Sequence, residues 1–165
     1  MIGQKLQEAF NKQINAEQYS AQLYLSMAAY FESQDLKGMA SWMTAQAAEE
    51  NAHAMRIFDF INDRSGRVAL EPIAAPKTDW NSPLEVFEDA YQHELQITAK
   101  ISTLMNLAGV ERDGASHDFL EWFCREQIEE EAQVQLIVSQ LKLVGDNGLG
   151  RYMIDQQLGQ RGAQK

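Results

Sequence analysis

The sequence predicts an all-α protein: a four-helix bundle with one long crossover between helices 2 and 3 and a short fifth C-terminal helix. Three observations predict it. Apolar residues recur at helical spacing through four long segments. Two of the 3 prolines and most of the 10 glycines fall outside those segments, and the third proline opens one of them. The links between segments run short, long, short, which orders the helices in space. The chain of 165 residues reads as a single domain over 1–165, with the bundle at 3–144, the short helix at about 150–158 and a tail at 159–165. The tail GQRGAQK carries no periodicity and is expected to be disordered.

The first segment, from about Gly3 to Ser33, places Phe10, Ile14, Ala21, Tyr24, Ala28 and Phe31 on one stripe. The second, from about Leu36 to Arg64, carries Met39, Met43, Ala47, Ala54, Ile57 and Ile61. The third, Pro83 to Ala108, carries Phe87, Tyr91, Ile97, Ile101 and Leu104. Its start is the best marked: Ser82-Pro83-Leu84-Glu85 offers a serine N-cap, proline at the first helical position and glutamate at N3, the pattern of a capping box. The fourth, from about Ser116 to Val144, carries Phe119, Phe123, Val134, Ile137 and Leu141. A short fifth follows the glycine-rich GDNGLG.

SQDLKG and GVERDG are short enough to force antiparallel hairpins. Ser65 to Ser82 is different, being long, weakly periodic and punctuated by Pro72 and Pro76. A helix of about 28 residues is ~42 Å long, and an extended stretch of roughly 17 residues reaches ~55 Å. The link can run the length of the bundle, which makes the second and third helices parallel. A second stripe on the first helix, Tyr19, Leu23 and Tyr30, is expected to serve a subunit contact or to lie under this crossover.

A net charge of −10 disfavours nucleic acid and anionic membranes as partners and suits a protein that attracts cations. The one cysteine, Cys124, cannot form an internal disulfide and supplies no cysteine-based zinc site. No signal-peptide-like or membrane-spanning run is apparent, so a cytoplasmic location is the default expectation.

Polar residues interrupt each apolar stripe at one level. Glu17 lies between Ile14 and Tyr24, Glu50 between Ala47 and Ala54 with His53 one turn on, Glu94 between Tyr91 and Ile101, and Gln127 and Glu130 between Phe123 and Val134. Glu17 is followed at 33 positions by Glu50 and at 36 by His53, and Glu94 is followed at 33 by Gln127 and at 36 by Glu130. The two hairpins thus carry matched polar sets that must meet near mid-bundle. Burying one unpaired carboxylate costs several kcal/mol, so four together require protons or cations. Two divalent ions would cancel the four charges. The i, i+3 spacing of Glu50 and His53 aims both side chains at one point, and a Glu from each of two helices with Glu-x-x-His on the others is a dimetal-carboxylate arrangement. Ligand chemistry alone leaves iron, manganese, zinc and cobalt open. The second half departs from Glu-x-x-His in having Gln127 and Glu130, so the position built from Glu17, Glu50 and His53 is the better formed of two unequal sites.

With Glu17, AEENAH at 48–53, HEL around Glu94 and EQIEEE at 126–131, the chain resembles the bacterial non-haem ferritins over nearly its whole length. The resemblance implies iron storage and detoxification by a ferroxidase, an oxidoreductase acting on Fe(II) with O2, in a hollow homo-oligomer of 24 subunits. It implies that Glu17, Glu50 and His53 hold the first iron, that Glu50 bridges, that Glu94 and Glu130 hold the second, and that Gln127 is a hydrogen-bonding neighbour. A third iron site is implied at Glu49, Glu126, Glu129 and Glu130, and Tyr24 matches a tyrosine beside the diiron centre that either supplies an electron or serves as a core aromatic. Asn51 stands where haem-binding relatives carry methionine, and the second Glu-x-x-His is absent, so no haem is expected. The positions of the acids that line the entry channel of animal ferritins fall at about His117 and Leu120, neither of them acidic. Two other readings are a fixed-cofactor dimetal enzyme, such as a manganese catalase or small oxidase, and a metal-free helical interaction module.

Overall fold

The computed structural model describes residues 1–161. Five helices follow in order: α1 Gln4–Ser33, α2 Lys37–Asp63, α3 Pro83–Val110, α4 Gly114–Val144 and α5 Gly148–Gly159. The described residues contain no strand.

Most starts are set by side chains at the N-cap. Ser82 accepts the Glu85 N–H at 3.1 Å, but Glu85 does not close the box on Ser82 itself. Its carboxylate reaches one residue further back, to the Asn81 N–H at 2.8 Å. Asp113 accepts from Ser116 N at 3.0 Å, which starts α4 at Gly114, two residues before the start expected at Ser116. Asn147 does the same for α5 through Gly150 N at 3.0 Å. At the far ends of α1, α2 and α3, Asp35, Ser65 and Arg112 take positive φ of 58°, 54° and 52°. The next N–H then bonds back to Phe31, Ile61 and Ala108 O at 3.0, 2.9 and 3.0 Å, closing Schellman-type caps without glycine.

Contacts at one end of the bundle fix its topology. Ile2 N donates to Arg64 O at 2.9 Å, joining the start of α1 to the end of α2. Arg64 pairs with Asp113 at 2.9 Å, and Lys5 pairs with Glu111 at 3.0 Å. The C-terminal ends of α2 and α3 therefore share one end of the bundle with the N-terminal ends of α1 and α4, so α2 and α3 are parallel. The crossover, residues 64–82, lies along α1, whose polar side chains satisfy its backbone. Gln7 accepts from Arg67 N at 2.8 Å, Asn11 donates to Arg67 O at 3.1 Å and accepts from Ala69 N at 3.0 Å, Asn15 donates to Glu71 O at 3.2 Å, and Ser26 donates to Lys77 O at 2.6 Å. An extended chain without sheet partners needs such donors and acceptors wherever it is shielded from water.

The crossover also decides the second stripe of α1. Leu23 is buried, Tyr30 meets Trp80 of the crossover edge-on at 5.5 Å, and Tyr19 is half-buried beside His93 of α3 at 5.8 Å. The crossover and α3 cover part of this stripe, and Tyr19 and Tyr30 keep part of their surface exposed.

The core is apolar in two blocks. One gathers Met27, Phe31, Met39, Met43, Phe87, Val134 and Leu141. The other gathers Leu6, Phe10, Ile57, Ile61, Ile101, Leu120 and Phe123. Leu120, at the position considered for a channel acid, is fully buried in the second block. The layer between the blocks is polar.

Candidate metal centre

Glu17, Glu50, His53, Glu94, Gln127 and Glu130 all project into that layer, each at most 5% exposed. Helical rise sets their level: Glu17 and Glu94 sit in the middle of α1 and α3, and the later set sits in the middle of α2 and α4. The fold brings them together in triads. Ligand atoms of Glu17, Glu50 and His53 lie within 4.8 Å of one another, as do those of Glu50, Glu94 and Glu130. Glu50 belongs to both, as a bridge between two cations must.

Gln13 Nε2 donates to Glu17 Oε1 at 2.7 Å, and Glu17 Oε2 is buried with no partner. Gln46 Nε2 reaches both Glu50 Oε1 at 3.0 Å and Glu130 Oε1 at 3.1 Å, while Glu130 Oε2 is likewise buried and unpartnered. Glu94 has both oxygens engaged: the Tyr24 hydroxyl donates to Oε1, and Gln127 Nε2 donates to Oε2 at 3.2 Å. His53 Nδ1 stands 3.4 Å from Glu50 Oε2 and 3.9 Å from Glu130 Oε1, its ring held edge-on by Trp122 at 5.4 Å. Two unpartnered carboxylate oxygens in a buried layer are acceptors that could hold a cation.

The electrostatics agree. Burial, then the neighbouring Glu50, raises Glu17 to about 8. Burial and Glu94 raise Glu50 to about 8. Burial and the charges of Glu50 and Glu94 push Glu130 up to about 11, and burial raises Glu94. Without metal, Glu17, Glu50 and Glu130 hold protons near neutrality, and a divalent cation must exchange with them. Tyr24 is fully buried, and burial beside Glu94 raises its hydroxyl well above the ordinary range. It faces the centre as a hydrogen-bond donor.

The third set is divided. Ligand atoms of Glu126 fall within 4.8 Å of those of His53 and Glu130. Glu129 is exposed and accepts from Gln133 Nε2 at 2.8 Å. Glu49 is turned to Arg161, whose Nη2 donates to Glu49 Oε2 at 2.6 Å. Arg161 belongs to the tail expected to be disordered; it is fixed by this pairing, and residues 162–165 lie outside the described residues.

Comparison with known proteins decides the family. The ferritin-like domain model matches residues 7–144. The chain belongs to the ferritin family. It is 46% identical over 161 residues to a bacterial non-haem ferritin of Bacteroides fragilis (strain 638R), covering 98% of this chain and 100% of that protein. It is 36% identical to the bacterial non-haem ferritin of Staphylococcus aureus (strain MRSA252), covering 98% and 97%. Among solved structures, the open-pore ferritin of the hyperthermophilic archaeon Archaeoglobus fulgidus superposes with a TM-score of 0.96 at 46% identity, covering 96% of this chain and 98% of that one. This ferritin chain thus has the all-α bundle and short C-terminal helix of its family.

Reasoning from sequence missed several residues around the centre. Gln13 and Gln46 each stand four residues before a buried glutamate and keep the 33-residue separation of Glu17 and Glu50, a signal that was there to be read. His93, 2.7 Å from Ser20 Oγ and edge-on to Tyr24, and Thr98, which donates to Glu131 and accepts from Gln127 at 3.3 Å, carried no such spacing.

Proposed function

We propose that the chain is the subunit of an iron-storing shell of 24 copies and oxidises ferrous iron with dioxygen at the buried centre. The observation that supports this best is the pair of buried triads sharing Glu50, with the orphaned oxygens of Glu17 and Glu130 turned into the same layer. Iron is substrate here. Two ferrous ions held together each give up one electron, so the pair delivers two electrons to one dioxygen molecule, and the ferric product moves on to mineral inside the shell.

The residues divide the work. Glu17, Glu50 and His53 hold one ion; Glu50, Glu94 and Glu130 hold the other. Carboxylates and imidazole suit iron, and their protonation in the empty centre makes loading a proton exchange. Gln13 and Gln46 orient the carboxylates by donating to one oxygen of each and leaving the other for metal. Tyr24 and Gln127 hold Glu94, which keeps the second position less open than the first. Unequal positions suit a metal that must leave again. Glu126 stands beside His53 and Glu130, where a further ion could be held. The centre carries no haem in this reading.

The test is aerobic titration of the apoprotein with ferrous iron, followed by absorbance and by sizing of the product. Fast oxidation of about two ions per subunit, then uptake of far more iron in a large soluble particle, is the expected result. Oxidation that stops at the centre's own stoichiometry, or a small assembly, rejects storage in favour of a fixed-cofactor dimetal enzyme.

A further inference from the structure

Arg161 lies just past α5, yet its side chain is only 21% exposed. Three contacts hold it. Nη2 donates to Glu49 Oε2 at 2.6 Å, Nη1 donates to Gln46 Oε1 at 3.0 Å, and the guanidinium carbon stands 4.5 Å over the Trp42 ring. Gln46 and Glu49 are three residues apart on α2, so a planar fork can reach both from one position, whereas a lysine ammonium would be a single point charge. The amide of Gln46 is spoken for at its other end, where Nε2 donates to Glu50 and Glu130. Arg161 thus touches the centre through one intermediate side chain.

Gln46 also touches Glu130, which with Glu126 and His53 forms a group whose ligand atoms lie within 4.8 Å of one another, and Glu130 Oε2 is buried without a partner. A third cation here would draw its remaining charge compensation from Glu49. Arg161 places a positive charge beside Glu49.

We propose that Arg161 is a tethered cation that competes with metal for Glu49: its guanidinium takes the third ion's charge partner when that seat is empty, and an ion moving there displaces it. This rests on the ferroxidase reading for the identity of the two ions already in the centre.

The experiment is calorimetric titration of the assembled apoprotein with Zn(II), a redox-inert probe, with the ions placed by anomalous scattering from crystals. The unaltered protein, R161Q, R161K, E49Q/R161Q and a chain ending at Gln160 are compared. The expected result is two tight ions per subunit throughout and a third bound about tenfold tighter in R161Q and in the shortened chain. R161K falls between, and the gain vanishes in E49Q/R161Q. A third-ion affinity unchanged in R161Q, or a gain that survives loss of Glu49, overturns the proposal while leaving the dinuclear reading intact. Failure of the unaltered protein to take two ions overturns both together.

Discussion

Asp155 of α5 caps α2, a helix 116 residues away in sequence: its Oδ1 accepts the Met39 N–H at 2.8 Å. The residue at the N-cap of α2, Leu36, has no side chain to do this. The approach is allowed by Gly38, where an added Cβ would come within 1.7 Å of the Asp155 carbonyl oxygen. A buried carboxylate at a helix N-terminus satisfies an orphan N–H and meets the positive end of the helix dipole. This contact also holds α5 where Arg161 can reach α2.

Asp155→Ala is therefore expected to destabilise the subunit by about 1–2 kcal/mol. Gly38→Ala is expected to cost more, since backbone stands in the way and α5 must move off. Denaturant unfolding gives the sizes, and limited proteolysis shows release of the C-terminal segment. If Gly38→Ala unfolds like the unaltered protein, the docking of α5 has been misjudged.

The pH dependence of the metal-free protein follows from the raised carboxyls. Glu17 and Glu50 stand at about 8 in the fold against 4.5 for the free side chain. Between those values the folded state binds more protons than the unfolded one, so stability falls as pH rises from about 4.5 through about 8. The loss from this centre is on the order of a few kcal/mol. It should shrink in Glu17→Gln and disappear when Zn(II) saturates the centre, and unfolding curves across that range with and without Zn(II) decide it. Stability of the apoprotein that climbs with pH in this window contradicts the buried-carboxyl picture.

Tyr24→Phe removes the donor to Glu94 and nothing larger. Glu94 then keeps Gln127 alone, so the second cation should bind more weakly by about 1 kcal/mol while the first is unaffected. Anaerobic metal titration separates the two. Slower oxidation with unchanged affinity for both ions would instead assign the hydroxyl to electron transfer.

The cap of α3 offers a gain. Arg112 holds a φ of 52°, a conformation that glycine adopts without strain. Arg112→Gly should stabilise the subunit by about 0.5–1 kcal/mol, net of the extra freedom glycine has when unfolded. A shift of the unfolding midpoint to lower denaturant would mean that the exposed arginine makes a contact worth more than the strain.

The sequence by itself determined the four long helices, their connection order and the level at which Glu17, Glu50, His53, Glu94 and Glu130 meet. The reason is physical. A helix has a fixed period and rise, so matched spacings of 33 and 36 across short turns leave those side chains nowhere else to go. It also carried the Ser82 cap, because capping is a local hydrogen bond within four residues. Tertiary structure decided whatever depends on which surfaces meet. Tyr30 meets Trp80 only because the crossover returns along α1. Asp155 is an ordinary exposed-looking acid of α5 until Gly38 lets it approach α2. Glu49 and Glu126 occupy equivalent places in the repeat, yet one pairs with Arg161 and the other joins His53 and Glu130. Local periodicity sets where a side chain stands on its own helix; its partner, and hence its charge and its chemistry, comes from a distant stretch of chain whose approach no local pattern encodes.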